Sequence, residues 1–230
     1  MDIFLSRLIL NPRLIAVQHD LANCYAQHQR IMMAFPDRGG VPTARADEGV
    51  LYRQEQHDAQ VSLLVQSLRQ PDWSRLPEGY VLTPAETRPI NHLYAALHDG
   101  LVCRFRLAAN PTKRVSAQAE KEDVRWHGKR VNLFDEAAQQ QWLRRKGEMG
   151  GFVLLTISSS QEVLDLHQTR STRVLGHRPY TPGDKPMTLH LVQFEGRLCI
   201  TNTERFHQTL VAGIGPGKAF GMGLLSLASS

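Results

Sequence analysis

The 230-residue sequence contains no long apolar segment. No window approaches the roughly 18 uninterrupted apolar residues that a membrane-spanning helix requires. Asp2, Arg7 and Arg13 interrupt the N-terminal segment, which therefore lacks the basic start and clean apolar stretch of a secretory signal peptide. The composition, with 42% hydrophobic and 21% charged residues, is that of an ordinary globular protein and excludes wholesale disorder. We expect a cytoplasmic protein that does not bind membranes.

Metal-binding and nucleophile motifs are absent as well. The three cysteines lie far apart without a CxxC pair, so we expect reduced thiols and neither a disulfide framework nor a zinc ribbon. The ten histidines are scattered, no HExxH or GxSxG motif occurs, and no carboxylate cluster resembles a two-metal nuclease. The sequence therefore predicts chemistry that uses no metal and no other cofactor.

The glycine-rich stretch Gly213–Leu227 is not a nucleotide-binding motif of either common kind. A P-loop needs a glycine five residues before its Gly-Lys pair and a hydroxyl after it, whereas Ala212 and Ala219 hold these positions. The spacing of a dinucleotide fingerprint is also missing. What remains is a loop rich in backbone N–H groups that can approach a phosphodiester closely. A tight turn before an edge strand is the alternative explanation.

The positive charge is concentrated in the second half of the chain. The net charge is +5, with 9 Lys and Arg against 11 Asp and Glu in residues 1–100 and 18 against 11 in residues 101–230. A basic balance of this kind favours a polyanionic partner. The clusters around Arg104, Lys113, Arg125, Arg144 and Arg170 form either a polyanion-binding groove or a set of solvated faces.

A short internal echo indicates that the chain has two similar halves. RLILNP at Arg7–Pro12 and RLAANP at Arg106–Pro111 share four of six residues, and each closes a strand-like apolar stretch. Each half follows the β-α-β-β-α-β order of a ferredoxin-like (RRM-like) fold. We predict an α+β protein with tandem ferredoxin-like domains at residues 1–84 and 99–230, a linker at 85–98, and the glycine-rich loop in the second domain.

The predicted elements follow from hydrophobic periodicity and turn signals. In the first half they are strand Ile3–Leu10, a helix from Asp20 as N-cap to Pro36, and strands Val50–Gln54, Val61–Leu68 and Tyr80–Leu82. In the second half they are strand Leu101–Ala109, helix Glu136–Lys146, strand Phe152–Ile157, a hairpin of Met187–Phe194 with Arg197–Thr201, helix Glu204–Val211 and strand Leu224–Leu227. The basic and turn-rich composition of residues 167–186 predicts an elaborated hairpin or a mobile loop.

Tyr25 and His28 are the acid/base candidates. Their i, i+3 spacing places both side chains on one face of the predicted helix. Histidine can give or take a proton near neutral pH because its ordinary pKa is about 6.5. The alternative is that His28 is a satisfied histidine of the hydrophobic core.

Several motifs resemble the CasE family, the CRISPR repeat-processing endoribonucleases of type I-E Cascade systems, which belong to the RAMP superfamily. The motifs are DLANCYAQH (Asp20–His28), RFRLAANPTKR (Arg104–Arg114), GKRV (Gly128–Val131), WLRRKGEMGGF (Trp142–Phe152), FEGRL (Phe194–Leu198) and GIGPGKAFGMGLLSL (Gly213–Leu227). The likeness runs from residue 4 to the last residues and breaks at 35–52 and 167–185.

The resemblance implies two ferredoxin-like folds that recognise the hairpin of a CRISPR repeat transcript and cut at its 3′ base. It places the catalytic histidine and tyrosine at His28 and Tyr25, and the family's glycine-rich loop at Gly213–Gly223. It also implies that the enzyme stays bound to the mature crRNA and joins other Cascade subunits, without contacting DNA directly. Some members carry a lysine shortly after the histidine, where this sequence has Arg30.

Cleavage of this class uses the 2′-hydroxyl of the RNA as nucleophile, so no metal is needed and the products carry 2′,3′-cyclic phosphate and 5′-hydroxyl ends. We expect phosphate contacts from Arg30, Lys218 and the backbone amides of Gly215 and Gly217. Recognition should depend on shape and charge, because the deep, narrow major groove of A-form RNA hides its base edges. The candidates for backbone contacts are Arg104, Arg106, Lys113, Arg114, Lys129, Arg130, Arg170 and Arg173.

Two other functions remain compatible with the sequence. A noncatalytic RNA-binding RAMP subunit would keep the fold and the basic face, and a core position of His28 would indicate it. A tandem-RRM protein for single-stranded RNA would need paired aromatics on a central strand, whereas Phe105 stands alone between arginines.

Overall fold

The computed structural model describes residues 2–36, 48–115, 128–158, 163–174 and 188–230. Within these ranges its two main sheets are antiparallel and covered by helices, and their cores are separate hydrophobic clusters. Two smaller sheets have two strands each. No helix in these ranges is both long and apolar enough to cross a lipid bilayer.

The first sheet has the strand order of a ferredoxin-like fold. Its strands are β1 (Phe4–Ile9), β2 (Leu51–His57), β3 (Gln60–Ser67) and β4 (Glu86–Pro89), arranged as β2-β3-β1-β4 with every pair antiparallel. Two helices follow β1, namely α1 (Ile15–Ala22) and α2 (Cys24–Met32). Between β3 and β4 the described structure holds only the 3-10 turn Trp73–Arg75, so the second helix of the fold is degenerate, as predicted.

The helix predicted from Asp20 is two helices that meet at Asn23. The Asn23 side chain accepts hydrogen bonds from the backbone N–H groups of Tyr25 and Ala26, at 3.0 and 3.1 Å, and thereby starts α2. The prediction of Asp20 as N-cap is wrong. Asp20 is buried in α1, where its carboxylate accepts from Arg30 at 2.8 Å and from the Tyr80 hydroxyl at 2.9 Å.

The last strand of the first sheet lies later in the chain than predicted. Residues 80–82 contribute only an isolated bridge between Val81 and Leu10, whereas β4 pairs with β1 from Phe4–Pro89 to Arg7–Glu86. The first sheet thus extends into the predicted linker at 85–98. The next helix, α3 (Asn91–Ala95), carries Tyr94 to the second core.

The second half of the chain repeats the ferredoxin-like order. Its elements are β5 (Val102–Ala109), β6 (Thr112–Arg114), β7 (Arg130–Asn132), α4 (Glu136–Gly150), β8 (Phe152–Leu154), β9 (Thr156–Ser158), β10 (Val163–Leu164), β11 (Leu166–Val174), β12 (Thr188–Ile200), α5 (Thr203–Ala212) and β13 (Leu225–Ser229). The second sheet runs in the order β11-β12-β5-β13, and β8 also pairs with β12. The tandem ferredoxin-like fold, the two helices and the first and last strands of this half are as predicted.

The hairpin predicted around Glu195-Gly196 is instead one continuous strand, β12. Residues 192–199 pair without interruption with β5, with Glu195 opposite Arg106 and Gly196 opposite Phe105. Glycine is required there for a close approach, since a Cβ on Gly196 would collide with the carbonyl oxygen of Asp165. Part of the predicted loop at 167–186 is strand β11, and residues 175–187 lie outside the described ranges.

Side chains from the first sheet join the two domains through buried hydrogen bonds. The Arg53 guanidinium, on β2, donates to the carbonyl oxygens of Arg106 and Leu224 in the second domain, at 3.1 and 3.3 Å. Gln66, on β3, donates to the carbonyl oxygen of Leu210 at 2.9 Å.

Glu55 completes the Arg53 contact with an ion pair at 2.6 Å. Burial alone would raise the pKa of Glu55, but the hydrogen bond and charge of Arg53, with the charge of Arg106, hold this pKa below its usual value. The carboxylate therefore stays ionised at neutral pH and balances the buried guanidinium.

We expect Arg53→Ala to lower the free energy of unfolding by about 3 kcal/mol, because it removes a buried donor from two carbonyl groups and leaves Glu55 only its longer contact with Arg106. The exposed Arg145 on α4 is the matched control, and Arg145→Ala should change stability by less than about 0.5 kcal/mol. Urea denaturation followed by circular dichroism measures both. Equal midpoints for the two variants would contradict a stabilising role of the Arg53 contact.

Candidate nucleic-acid interface and catalytic site

A basic groove of about 730 Å³ opens beside the glycine-rich loop. Its lining comes from the β6–β7 hairpin, from α4 and from the loop after α5, which are elements distant in sequence. The cationic residues in the lining are Arg114, Arg130, Lys146 and Lys218. Residues from several of the basic clusters in the second half thus line one groove, and its binding of a polyanion stays a prediction.

The glycines of the loop permit a backbone that other residues rarely adopt. Gly213, Gly215, Gly217, Gly221 and Gly223 all have φ between 74° and 90°. The loop is also tightly packed, since a Cβ on Gly217 would lie 2.9 Å from the Met222 sulfur. The number of glycines therefore reflects repeated left-handed turns.

Two amides of this loop are available to an anion. Gly215 and Gly217 line the groove, and within the described part of the chain neither backbone N–H donates a hydrogen bond. Pro216, between them, has no N–H group. Two such N–H groups beside Lys218 are donors that a phosphate could use.

Helix α2 packs against the 3-10 turn Lys218–Phe220, which lies within this loop. The turn is also held from β2, because the buried Tyr52 hydroxyl donates to the carbonyl oxygen of Ala219 at 3.0 Å. The fold therefore brings together the two features that the sequence singled out separately, the Tyr25–His28 helix of the first domain and the glycine-rich loop of the second.

Tyr25 and His28 do not belong to the hydrophobic core. The buried residues of α2 are Cys24, Gln27 and Ile31, which define the face that packs against the first sheet. Tyr25 and His28 are partly exposed and lie on the neighbouring face of the helix. The structure does not favour the alternative in which His28 is a core histidine.

Arg30 has a different environment from the one predicted for a phosphate ligand. Its Nε donates to the buried Asp20 carboxylate at 2.8 Å, and its guanidinium lies 5.4 Å from the centroid of the Tyr80 ring. Arg30 follows His28 by two residues, which is a rotation of about 200° around the helix axis. Its side chain therefore lies on a different face of α2 from that of His28. These contacts indicate that Arg30 holds α2 against α1, and they do not support its predicted contact with the scissile phosphate.

The β6–β7 hairpin presents four of the predicted RNA-binding residues together. Lys113 and Arg114 on β6 pair with Val131 and Arg130 on β7, and Lys129 directly precedes β7. All four basic side chains are exposed. Arg114 lies directly opposite Arg130, and an anion bound between these two like charges would relieve their repulsion.

Arg104 and Arg106 lie elsewhere, on the sheet face opposite the second core. Arg106 forms ion pairs with Glu195 at 3.1 Å and Glu55 at 3.4 Å, and Arg104 donates to the carbonyl oxygen of Ser229 at 3.0 Å. They line a separate groove of about 600 Å³ that also contains Asp165. Carboxylates balance much of the charge there, so these two arginines do not join the basic groove.

The remaining predicted contacts lie at the outer edge of the second sheet. Arg170, on β11, is exposed and donates to the carbonyl oxygen of Phe134 at 2.9 Å. The side chain of Arg173 lies outside the described part of the structure, so its contact stays a prediction.

Three residues of the site were not predicted from the sequence. Lys146 and Trp142, on α4, line the groove, and the Lys146 ammonium lies 5.9 Å from the Trp142 ring centroid. Tyr52 supports the loop from the first domain. The basic run Arg144–Lys146 was a signal for Lys146, but no local signal distinguishes Tyr52 from any other core aromatic.

Within the described ranges, no group of three or more His, Cys, Asp or Glu side chains is arranged to hold a metal ion.

The sequence matches a family model described as CRISPR associated protein over residues 3–229. It is 38% identical over 227 residues to the CRISPR-associated endoribonuclease Cse3 of Thermus thermophilus, covering 98% of this chain and 99% of the relative. It is 31% identical over 210 residues to the CRISPR system Cascade subunit CasE of Escherichia coli, covering 89% and 91%.

Solved structures of CRISPR-associated proteins also resemble the fold of this chain. The Thermus thermophilus Cse3 structure with an RNA representing a pre-cleavage complex superposes with a TM-score of 0.78 at 35% identity, covering 99% of this chain and 100% of that one. The Escherichia coli Cas6e crystal structure superposes with a TM-score of 0.65 at 26% identity, with the same coverage.

Proposed function

The chain belongs to this family of CRISPR-associated proteins, and we propose that it is an endoribonuclease that cleaves CRISPR precursor transcripts at the repeat hairpin. The reaction needs no metal ion and gives a mature crRNA with 2′,3′-cyclic phosphate and 5′-hydroxyl ends. The enzyme acts in the cytoplasm and stays bound to its product as a Cascade subunit. Its partners are the repeat RNA and the other Cascade subunits, with neither DNA nor membrane contacted directly.

The observation that carries this proposal is the packing of α2 against the 3-10 turn of the glycine-rich loop. This packing brings the helix of Tyr25 and His28 into contact with the glycine-rich loop of the other domain, which supports the proposal. The RNA hairpin lies along the basic groove, with its backbone against the β6–β7 hairpin and Lys146. The scissile phosphate reaches the junction of the groove with α2.

The RNA itself supplies the nucleophile. The 2′-oxygen attacks the adjacent phosphorus, the bond from phosphorus to the 5′-oxygen breaks, and the cyclic phosphate forms. One proton leaves the 2′-hydroxyl and one reaches the departing 5′-oxygen, and His28 carries one of these transfers. Tyr25, one helical turn earlier, orients His28 or the ribose.

The rest of the rate enhancement comes from positioning the RNA backbone and from stabilising the negative charge of the transition state. The 2′-oxygen, phosphorus and leaving oxygen must be in line, which requires a fixed backbone on both sides of the cut. Lys218 and the amides of Gly215 and Gly217 stabilise the extra negative charge on the phosphorane. They act in place of Arg30, whose guanidinium is held by Asp20.

We expect cleavage of a labelled repeat RNA to persist in excess EDTA and to stop when the single 2′-hydroxyl before the cut is replaced by hydrogen. The deoxy substitution removes the nucleophile but leaves the hairpin and its charge unchanged. Denaturing gel electrophoresis measures both reactions. Loss of cleavage in EDTA that magnesium restores would refute the metal-independent mechanism.

His28→Ala should lower the single-turnover cleavage rate by about 10²- to 10⁴-fold, the range for one acid/base group, with repeat affinity within a few-fold of wild type. Tyr25→Phe should lower the cleavage rate less than His28→Ala does, since the aromatic ring remains and only the hydroxyl is lost. Melting temperature, dissociation constant and rate are measured on both variants. A folded His28→Ala protein that binds tightly and cuts at the wild-type rate would remove His28 from the mechanism.

Arg114→Ala should weaken repeat binding and reduce the slope of log affinity against log salt by about one, because one phosphate contact and its released counterion are lost. Arg106→Ala is the matched control and should leave both values near wild type, since Glu55 and Glu195 already balance its charge. Filter binding from low to moderate salt measures both variants. If Arg106→Ala weakened binding and Arg114→Ala did not, the RNA would instead lie on the face of the second sheet that carries Arg106.

A further inference from the structure

Phe134 is an exposed aromatic side chain whose exposed neighbours in the chain are charged, with Arg130 before it and Asp135 and Glu136 after it. Its side chain is 64% exposed, and no other Phe, Tyr or Trp in the described ranges is exposed. A single exposed apolar residue needs no explanation by itself. The neighbours of Phe134 and the rigidity of its position are what distinguish it.

The backbone around Phe134 is fixed on both sides. The preceding residue, Leu133, donates its N–H to the carbonyl oxygen of Pro111 at 2.9 Å and packs against the second core. The following residue, Asp135, caps α4 by accepting from the N–H of Ala138 at 2.8 Å. Phe134 is therefore held in place before any ligand arrives, which lowers the entropic cost of binding.

One side of the Phe134 ring is covered and the rest is open. The His190 ring lies 5.0 Å away, centroid to centroid, at an angle of 52°. Burial lowers the pKa of His190, and the charge of Arg170 lowers it further, so the imidazole is neutral at neutral pH. The covered side thus consists of an uncharged aromatic ring, and the positive charge at this position is that of Arg170.

Phe134 lies next to the basic groove. It follows β7 by two residues and Arg130, which lines the groove, by four, so at most about 14 Å of extended chain separates them. Arg170 contacts the Phe134 backbone directly. An aromatic face with an adjacent guanidinium beside a phosphate-binding surface is the combination that holds an unstacked base and its phosphate.

We propose that Phe134, supported by His190 and Arg170, is a stacking site for one unpaired nucleobase of the bound RNA. The inference rests on the proposed function and extends it, since it assigns a contact to a base outside the paired stem. Bases within the stem are already stacked on their neighbours, so the occupant comes from the hairpin loop or from a single-stranded flank. Arg170 contacts the phosphate of the same nucleotide.

The test compares Phe134→Ala and Phe134→Trp with wild type on four RNAs. These are the full repeat, the hairpin without flanks, the stem with flanks but without its loop, and a blunt duplex of the stem alone. Leu82→Ala, at an exposed apolar residue of the first domain, is the control variant. Dissociation constants are measured by filter binding, and melting temperatures establish that each variant is folded.

We expect Phe134→Ala to weaken binding of the full repeat by about 5- to 100-fold, the range for loss of one base–aromatic stack. Phe134→Trp and Leu82→Ala should remain within a few-fold of wild type. The loss of affinity caused by Phe134→Ala should vanish on the blunt duplex. It should persist on whichever of the other two RNAs contains the stacked base. A 2-aminopurine at that position should be quenched by wild type and not by Phe134→Ala.

Two results would overturn the stacking site. One is full-repeat binding by Phe134→Ala equal to wild type, and the other is the same deficit on the blunt duplex as on the full repeat. Neither would affect the proposed endoribonuclease function, which the cleavage of the repeat by the wild-type protein tests separately. Failure of the wild-type protein to bind the repeat would refute that function and this site together.

Discussion

The buried contact between the two ferredoxin-like domains is the interaction on which the site depends. Arg53 donates to backbone carbonyls of the second domain, and Tyr52, its neighbour on β2, donates to Ala219 in the glycine-rich loop. Neither domain contains the whole site, because His28 belongs to the first and Lys218 to the second. The proposed catalytic geometry therefore exists only while these hydrogen bonds hold the two domains in their relative positions.

This dependence explains why polar side chains are buried at the interface. A buried guanidinium is costly to desolvate and is stable only when its donors and its charge are satisfied, which Glu55 and two carbonyl oxygens accomplish here. Apolar contacts alone are tolerant of small displacements, whereas hydrogen bonds lose strength steeply with distance and angle. Directional bonds thus suit an interface that, in the proposed mechanism, positions His28 near the scissile phosphate.

The basic residues of the second domain lie on two surfaces. One contributes to the contact between the domains, and the other belongs to the proposed RNA-binding surface. On the sheet face, Arg106 is paired with carboxylates that belong to both domains, so its charge contributes to the interface. On the β6–β7 hairpin, the basic side chains of Lys113, Arg114, Lys129 and Arg130 are exposed close together. Both groups contribute to the net charge of +5, and the second belongs to the proposed RNA-binding surface.

The sequence by itself determined the fold class, the family resemblance that the comparisons confirm, and the helix that carries Tyr25 and His28. Each follows from local periodicity or from a contiguous motif. Only the tertiary structure decided that Arg30 pairs with Asp20, that β12 is one strand beside β5, and that Tyr52 holds a loop 167 residues away. Such contacts join residues distant in the chain, and their geometry depends on how complete elements pack, which no local pattern encodes.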